Sequence, residues 1–514
     1  MQPNLASSAW EAGAQRKLAL LTRCQKYAGF TLPHICTPDG YNEQSAELQT
    51  DWQALGAQAV NNLSNKLILA LFAPSRPFFR LDIPPDLARK LQVTAEDMQG
   101  ALSMSEKKAI KRLENMGIRP KLYEAIKHLI ITGNCLLILG KKGGVPMRVL
   151  GLKRYCVKRS MSGKVIQIVI HEKVRFDELD SDVQKELKET YKERYEKMDP
   201  MDPASCGEVR YYKLIQWDGT ANYHETVQVD DLELGEKFKS KYNEDTLPYR
   251  ALTWELCDDN DYGTGLVEQF AGDFAALSSL SEAQIQAAIL ASEFRWLVNP
   301  AGQTSVEDLE NSSNGAALPG VQNDVIPLTT GTGATLQYLE AVANQYVNRI
   351  GRGFLLTSSV IRDAERVTAE EVRLQAQELE TALGGVYSRL AVDFQLPMAL
   401  WLIKMAGVDL GGTAIEPTIV TGLDALSRNS DLEALKLCLQ DLAIIGGMSP
   451  QTQFVLRMDA IASAIFAGRG VNAQAYVKSP EQQKADLENQ QQMQLAQQVA
   501  RPVAAAVAGG GGAM

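Results

Sequence analysis

The sequence predicts a mainly α-helical protein with an α+β portion in its first half. Three observations carry this prediction. Apolar residues recur at helical spacing over most of residues 5–131 and again after residue 263. Short β-branched or alternating runs fill residues 134–254. Two long helical stretches then bracket a small Gly/Ser/Asn-rich insertion.

Taken in order, residues 5–30 read as a polar helix with apolar spacing at Ala14, Leu18, Leu21 and Tyr27. Pro33, Pro38 and Gly40 mark a loop. In TDWQALGAQAVNNLSNKLILALFAP (50–74), Leu55, Ala59, Leu63, Leu67 and Leu71 recur every four residues, an amphipathic helix that Pro74 and Pro77 end. Further helices are expected over 94–115 and 119–131. LLILG, RVLGL, YCVKR, KVIQIVIHEKV, EVRYYKLIQW and ETVQV then suit strands. They are interrupted at 177–198 by DELDSDVQKELKETYKERYEKM, which reads as a solvated surface helix.

Residues 263–293 form one predicted helix, on the order of 45 Å long, with Leu266, Phe270, Phe274, Leu277, Ile285 and Ile289 close to one face. In the insertion 294–335, RWLV and DVIPL suit a small strand pair, and a helix returns over 336–356. Such a hairpin buries too little against itself and is expected to pack against copies of itself. Residues 357–365, TSSVIRDAE, lead into RVTAEEVRLQAQELETALGGVYSRL (366–390), where Thr368 and Glu371 fit a capping box. The adjacent Gly384 and Gly385 are a recognised place for a helix to bend. FQLPMALWLIKMAG (394–407) continues the helix, EPTIVTGLDAL (416–426) reads as a strand and turn, and 430–467 as a small helical module. The Gln-rich then Ala/Gly-rich tail, 479–514, is expected to be disordered.

A chain of 514 residues is expected to form several domains. Its net charge of −10 excludes the usual basic profile of a tight, static nucleic-acid binder, so any DNA contact should be local or transient. Seven scattered cysteines without C-x-x-C spacing read as free thiols of a reducing compartment. The start lacks a signal-peptide pattern, and LILALFA (67–73) falls far short of the roughly 20 residues of a membrane helix, so a soluble protein is expected.

Enzyme chemistry finds little support. No complete phosphate loop is present, GKKGG (140–144) and SGKV (162–165) being incomplete lookalikes. The four histidines lack metal-ligand spacing, and there is no nucleophile elbow. No cofactor or metal is expected. Asp258, Asp259 and Asp261 form the densest acidic cluster. They read either as oxygen ligands for a divalent cation, as a metal-dependent nuclease would require, or as acids favouring the dipole of the helix that follows. Arg362 and Arg366 lie about one turn apart, beside Asp363, Glu365 and Glu370. Local salt bridges on a surface loop compete there with a binding role.

Several blocks together resemble the head-to-tail connector, or portal, family of podovirus-type (autographivirus-like) short-tailed phages. They are the 50–74 helix, ITGNCLLIL (131–139), WLVNPAG (296–302), the 366–390 block and EPTIVTGLDAL, and they span about residues 5–470. The resemblance implies a non-enzymatic ring of twelve subunits at one capsid vertex, around a channel that passes double-stranded DNA during packaging and ejection. It implies as partners the terminase large subunit, tail adaptor and tubular tail proteins, major capsid and scaffolding proteins, and internal core proteins, with no membrane. By this likeness the wing is 1–262 and 357–426, the stem helices 263–293 and 336–356, the clip 294–335 and the crown 427–478. The tunnel loop is 357–368, where Arg362 and Arg366 would line or brace the constriction, and Gly384 and Gly385 would kink the long wing helix. A hairpin that needs neighbours, an acidic balance that would not hold phosphates in a bore, and the missing ATPase loop agree with this. A capsid or tail adaptor without DNA contact is the remaining alternative, besides the nuclease.

Overall fold

The computed structural model describes residues 5–42, 44, 46–72, 78–82, 95–141, 143–198, 207–292, 296–327, 332–356, 379, 381–407 and 416–419. The chain divides into two compact units, Met1–Gly422 and Leu423–Met514, and every described residue belongs to the first. Arg362, Arg366, the Thr368 cap and residues 427–514 lie outside the described residues.

The first half is built on helices α1 (Leu5–Phe30), α2 (Leu55–Leu71), α3 (Ala95–Asn115) and α4 (Arg119–Thr132). The four-residue apolar spacing of α2 becomes a buried stripe of Ala59, Leu63, Leu67 and Leu71, thickened by Val60 and Ile68 and packed against α4. At roughly 1.5–3 kcal/mol for each large side chain buried, this stripe is a main contributor to the core. The C-terminus of α4 is set by Gly133 in the left-handed conformation, whose N–H donates to Leu129 O at 3.0 Å.

The strands are β1 (Phe79–Asp82), β2 (Asn134–Leu139), β3 (Met147–Leu150), β4 (Tyr155–Arg159) and β5 (Val165–Arg175). After helices α5 (Ser181–Thr190) and α6 (Lys192–Tyr195) come β6 (Glu208–Trp217), β7 (Asn222–Val229), β8 (Leu232–Glu233), β9 (Ser240–Asn243) and β10 (Tyr249–Thr253). An antiparallel sheet runs β4-β5-β6-β7-β8, with β9 also pairing β7, and a second runs β10-β2-β3. Helix α1 lies across the larger sheet. The buried Lys17 ammonium donates to the carbonyls of Leu152 (2.7 Å) and Tyr155 (2.5 Å) and sits over the Trp10 ring. Burial pushes its pKa down.

The charged segment at 177–198 is more than a solvated face. It forms two short helices whose Val183, Leu187 and Tyr195 join Phe176, Val209, Val227 and Val229 in a separate buried cluster. Val183, Leu187 and Tyr195 were hidden in the sequence by the density of charge around them. Strands β1 and β10 went unrecognised because each is short, four and five residues long, and gains its strand partner only in the fold. β1 pairs antiparallel with β13 (Glu416–Ile419), more than 300 residues away.

The second half opens with α7 (Leu266–Gln269) and α8 (Ala271–Ser292) rather than one continuous helix. The break falls at Phe270 (φ −105°, ψ 10°). The 22 residues of α8 span about 33 Å. Strand β11 (Trp296–Val298), the short helix α9 (Val306–Asn311) and strand β12 (Val325–Pro327) follow, with β11 and β12 antiparallel as the apolar runs suggested. Helix α10 (Thr332–Gly353) then returns along α8. Past residue 380, a helical turn at 381–383 stops at Gly384 (φ 43°, ψ −111°). Helix α11 (Gly385–Leu390), a π-helical turn (Ala391–Gln395) and helix α12 (Leu396–Met405) complete the run.

Candidate functional site

The feature with most to act through is the hairpin of α8 and α10, which is fixed at its foot and uncovered at its end. At the foot of the first arm, the buried Asn134 side chain forms a two-way bond with Gly263. Asn134 Nδ2 donates to Gly263 O at 2.7 Å, and Gly263 N donates to Asn134 Oδ1 at 2.8 Å. Gly133 makes this approach possible, because a Cβ there would sit 2.4 Å from the Thr264 carbonyl carbon. The second arm ends at Leu355, which has φ 55°. Its carbonyl accepts from Asn62 Nδ2 (3.1 Å) and from the buried Lys66 Nζ (2.9 Å), so two polar residues of α2 satisfy a helix end that would otherwise be orphaned.

Between the arms, Phe270 and Phe274 pack edge-on against Phe354, with centroids 5.5 and 5.8 Å away. Arg349 Nη2 meets Asp273 Oδ1 at 2.8 Å. Burial fades with distance from the foot. Leu266, Phe274 and Leu277 are buried within the chain, whereas Ile285 and Ile289 on the same predicted face are exposed. Among the described residues, the apolar flank of the first arm is thus buried within the chain near the foot and exposed farther out.

Beyond the helices, residues 296–326 contain one buried side chain, and it is an aspartate. Asp324 Oδ2 accepts from Gln303 N (2.9 Å) and Val321 N (3.0 Å), and its own carbonyl accepts from Asn299 N (2.8 Å). The Val321 and Gln303 amides hold its carboxyl below the usual range. The apolar side chains point outward. Trp296 and Leu297 are each 54% exposed, and Ile326, which opposes Leu297 across the ribbon, is 48% exposed. Because neighbouring residues of a strand face opposite ways, both faces of this two-stranded ribbon are apolar. Val306 and Val321 are exposed nearby in sequence.

The acidic cluster gathers no comparable site. Asp261 Oδ1 accepts from Arg159 N at 2.6 Å, while Asp258 and Asp259 are exposed. Among the described residues, no group of three or more His, Cys, Asp or Glu is placed to hold a metal ion, and no helix is long and apolar enough to cross a membrane. Gly384 and Gly385 lie beside a cavity of about 420 Å³ lined by Trp254, Leu266, Gln269, Leu383, Val386 and Arg389, and neither glycine has a neighbouring atom where a Cβ would project. Asn134, Lys66 and Asp324 were not singled out in the sequence. The ITGN and YGTG stretches were the available signal, since a polar residue between apolar helix and apolar strand has to satisfy a local backbone.

Comparison with known proteins gives the geometry its context. The chain is 33% identical to the portal protein of Enterobacteria phage T3, over 98% of this chain and 93% of that protein. It is 31% identical to the portal protein of Enterobacteria phage SP6 (97% and 95%) and 32% identical to that of Escherichia phage T7 (95% and 91%). Among solved structures, the neck of an empty gene transfer agent particle aligns at a TM-score of 0.39 with 12% identity, covering 82% of this chain and 90% of the other. Residues 4–477 match the bacteriophage head-to-tail connecting proteins, and the chain belongs to that family.

Proposed function

We propose that the chain is a portal protein of the T7-like type, the head–tail connector at one vertex of a virion. Copies stand side by side in a ring, twelve by the family expectation, around a channel for double-stranded DNA. The observation that carries this reading is the tip at 296–326, a segment whose apolar side chains are exposed on both faces of its ribbon while its one buried side chain is polar. Ordering a segment of this length costs roughly 1–2 kcal/mol per residue of backbone entropy, which a single aspartate cannot offset. Apolar surface on two opposite faces fits a head-to-tail ring, where each copy meets one neighbour on either side through different surfaces.

On this reading the wing is 1–262 and 357–426, the stem 263–293 and 336–356, the clip 294–335 and the crown 427–478. Arg362 and Arg366 brace the constriction and touch DNA phosphate without reading bases. Gly384 and Gly385 let the long wing helix bend beside the cavity. The terminase large subunit docks first and tail adaptor and tubular tail proteins later, with capsid, scaffolding and internal core proteins around the ring. The chain itself carries out no catalysis.

The mass of the purified assembly and an electron-microscopy image test the ring. About a dozen copies with a protruding stem are expected, and a Leu297→Ser, Ile326→Ser variant should fall back to smaller species. A monomeric or dimeric native protein, or a variant ring as stable as the original, refutes the reading. Changing Arg362 and Arg366 to Ala should reduce DNA retention in filled heads, and unchanged retention and packaging would remove their assigned role.

A further inference from the structure

We propose that the outer face of α3 is a second surface for the phosphate backbone of double-stranded DNA, separate from the constriction loop. At 3.6 residues per turn, Lys107, Lys111, Lys108 and Arg112 fall in order within a sector of about 140°. Ala109, Leu113, Glu106 and Ile110 fall within about 100° on the opposite side. All four of these are buried, as α3 packs against β1 and α12, and Glu106 Oε1 accepts from Leu81 N at 2.9 Å. The inner face is therefore spoken for, and the cations have nowhere to turn but outward: the three lysines are exposed and Arg112 is half-buried.

Two properties separate this stripe from an ordinary solvated charge run. The first is its single sign. From Leu102 to Asn115 no carboxylate enters the cationic sector, Glu114 lying just outside it. In α5–α6, by contrast, Lys185, Lys188, Lys192 and Arg194 alternate with Glu186, Glu189, Glu193 and Glu196, which is the pattern of a face that neutralises itself. The second is the lack of partners. None of the three lysines makes an ion pair or side-chain hydrogen bond among the described residues. Three lysines gathered within one sector, without an ion-pair partner among the described residues, repel one another unless an anion joins them.

The matching ligand is a dense linear anion. Residues 107–112 cover about 7.5 Å of helix axis, over which a duplex presents about four phosphates. The choice of DNA among polyanions rests on the portal reading, since a portal meets duplex DNA along its path. The contacts would be non-specific, weak and salt-sensitive, as an acidic conduit requires.

The test uses the full-length assembled protein and its Lys107→Gln, Lys108→Gln, Lys111→Gln variant, with binding of a random-sequence duplex followed from about 50 to about 200 mM salt. Removing three phosphate contacts should flatten the salt slope by about 2.7, so that across this range the unmodified protein loses roughly 40-fold more affinity than the variant. Equal slopes and affinities overturn the proposal. So does displacement of the duplex by millimolar inorganic phosphate, which would indicate a discrete phosphate pocket. Assembly mass is measured on the same samples. A missing ring in the unmodified protein defeats the portal reading, whereas an intact ring with an unchanged slope defeats only the α3 surface.

Discussion

Replacing Asn134 with Ala should free the foot of the hairpin, and the structure sets the size of the effect. Asn134 Nδ2 and Oδ1 satisfy the carbonyl and N–H of Gly263. Both residues are buried, so water cannot take over either bond without opening the segment. A buried backbone group left without a partner costs about 1–3 kcal/mol, so losing both costs about 2–6 kcal/mol. That is a large share of the roughly 5–15 kcal/mol that stabilises a domain. The alanine also removes the Nδ2 bond to Thr132 O and leaves a small void, which pushes in the same direction. Hydrogen exchange reads this directly, because at 1.36 kcal/mol per factor of ten the Gly263 amide should exchange roughly 30-fold faster or more. Asn134→Asp separates the two bonds: the acceptor for Gly263 N–H is retained and the donor to its carbonyl is lost, so Gly263 should keep part of its protection. The reasoning is wrong if Asn134→Ala leaves the amides of 263–274 at native rates, or if Asp and Ala behave identically.

Two further outcomes follow from the tip and from the helix break. Asp324 is a carboxylate whose folded pKa is depressed. Its contribution is therefore complete above its unfolded value of about 3.9 and is lost as the pH falls through the lower folded value. Protection of the Gln303 and Val321 amides, corrected for intrinsic exchange, should collapse only in that acid window, and Asp324→Asn should remove the pH dependence. Collapse near neutral pH would contradict it. At the helix break, Gly384 holds φ at 43°, where an L side chain is strained by roughly 1 kcal/mol or more. Gly384→Ala with Gly385→Ala should straighten the helix and alter assembly or channel diameter in electron microscopy, and a ring with the original bore would rule this out.

Much of the local structure was legible because local rules decide it. The four-residue spacing in Leu55–Leu71 has one low-energy outcome, an amphipathic helix with that stripe inward, and the β-branched run in Val165–Arg175 and the alternation in Glu208–Trp217 likewise prescribe strands. The paired runs around Trp296 and Val325 were readable for the same reason. The motifs at 50–74, 131–139 and 366–390 carried the family through their order along the chain, which needs no coordinates.

What only the tertiary structure decided are the contacts whose partners lie far apart in sequence. No periodicity announces that Phe79–Asp82 will pair with Glu416–Ile419, that Lys66 will satisfy Leu355 O, or that Asn134 will hold Gly263. Each is a polar or backbone group whose need for a partner is evident in the sequence, while the identity of that partner depends on how the helices pack. The same holds for the apolar flank of the hairpin. Its apolar residues continue along 263–293, but only packing determines that Phe274 and Leu277 are buried while Ile285 and Ile289 are exposed.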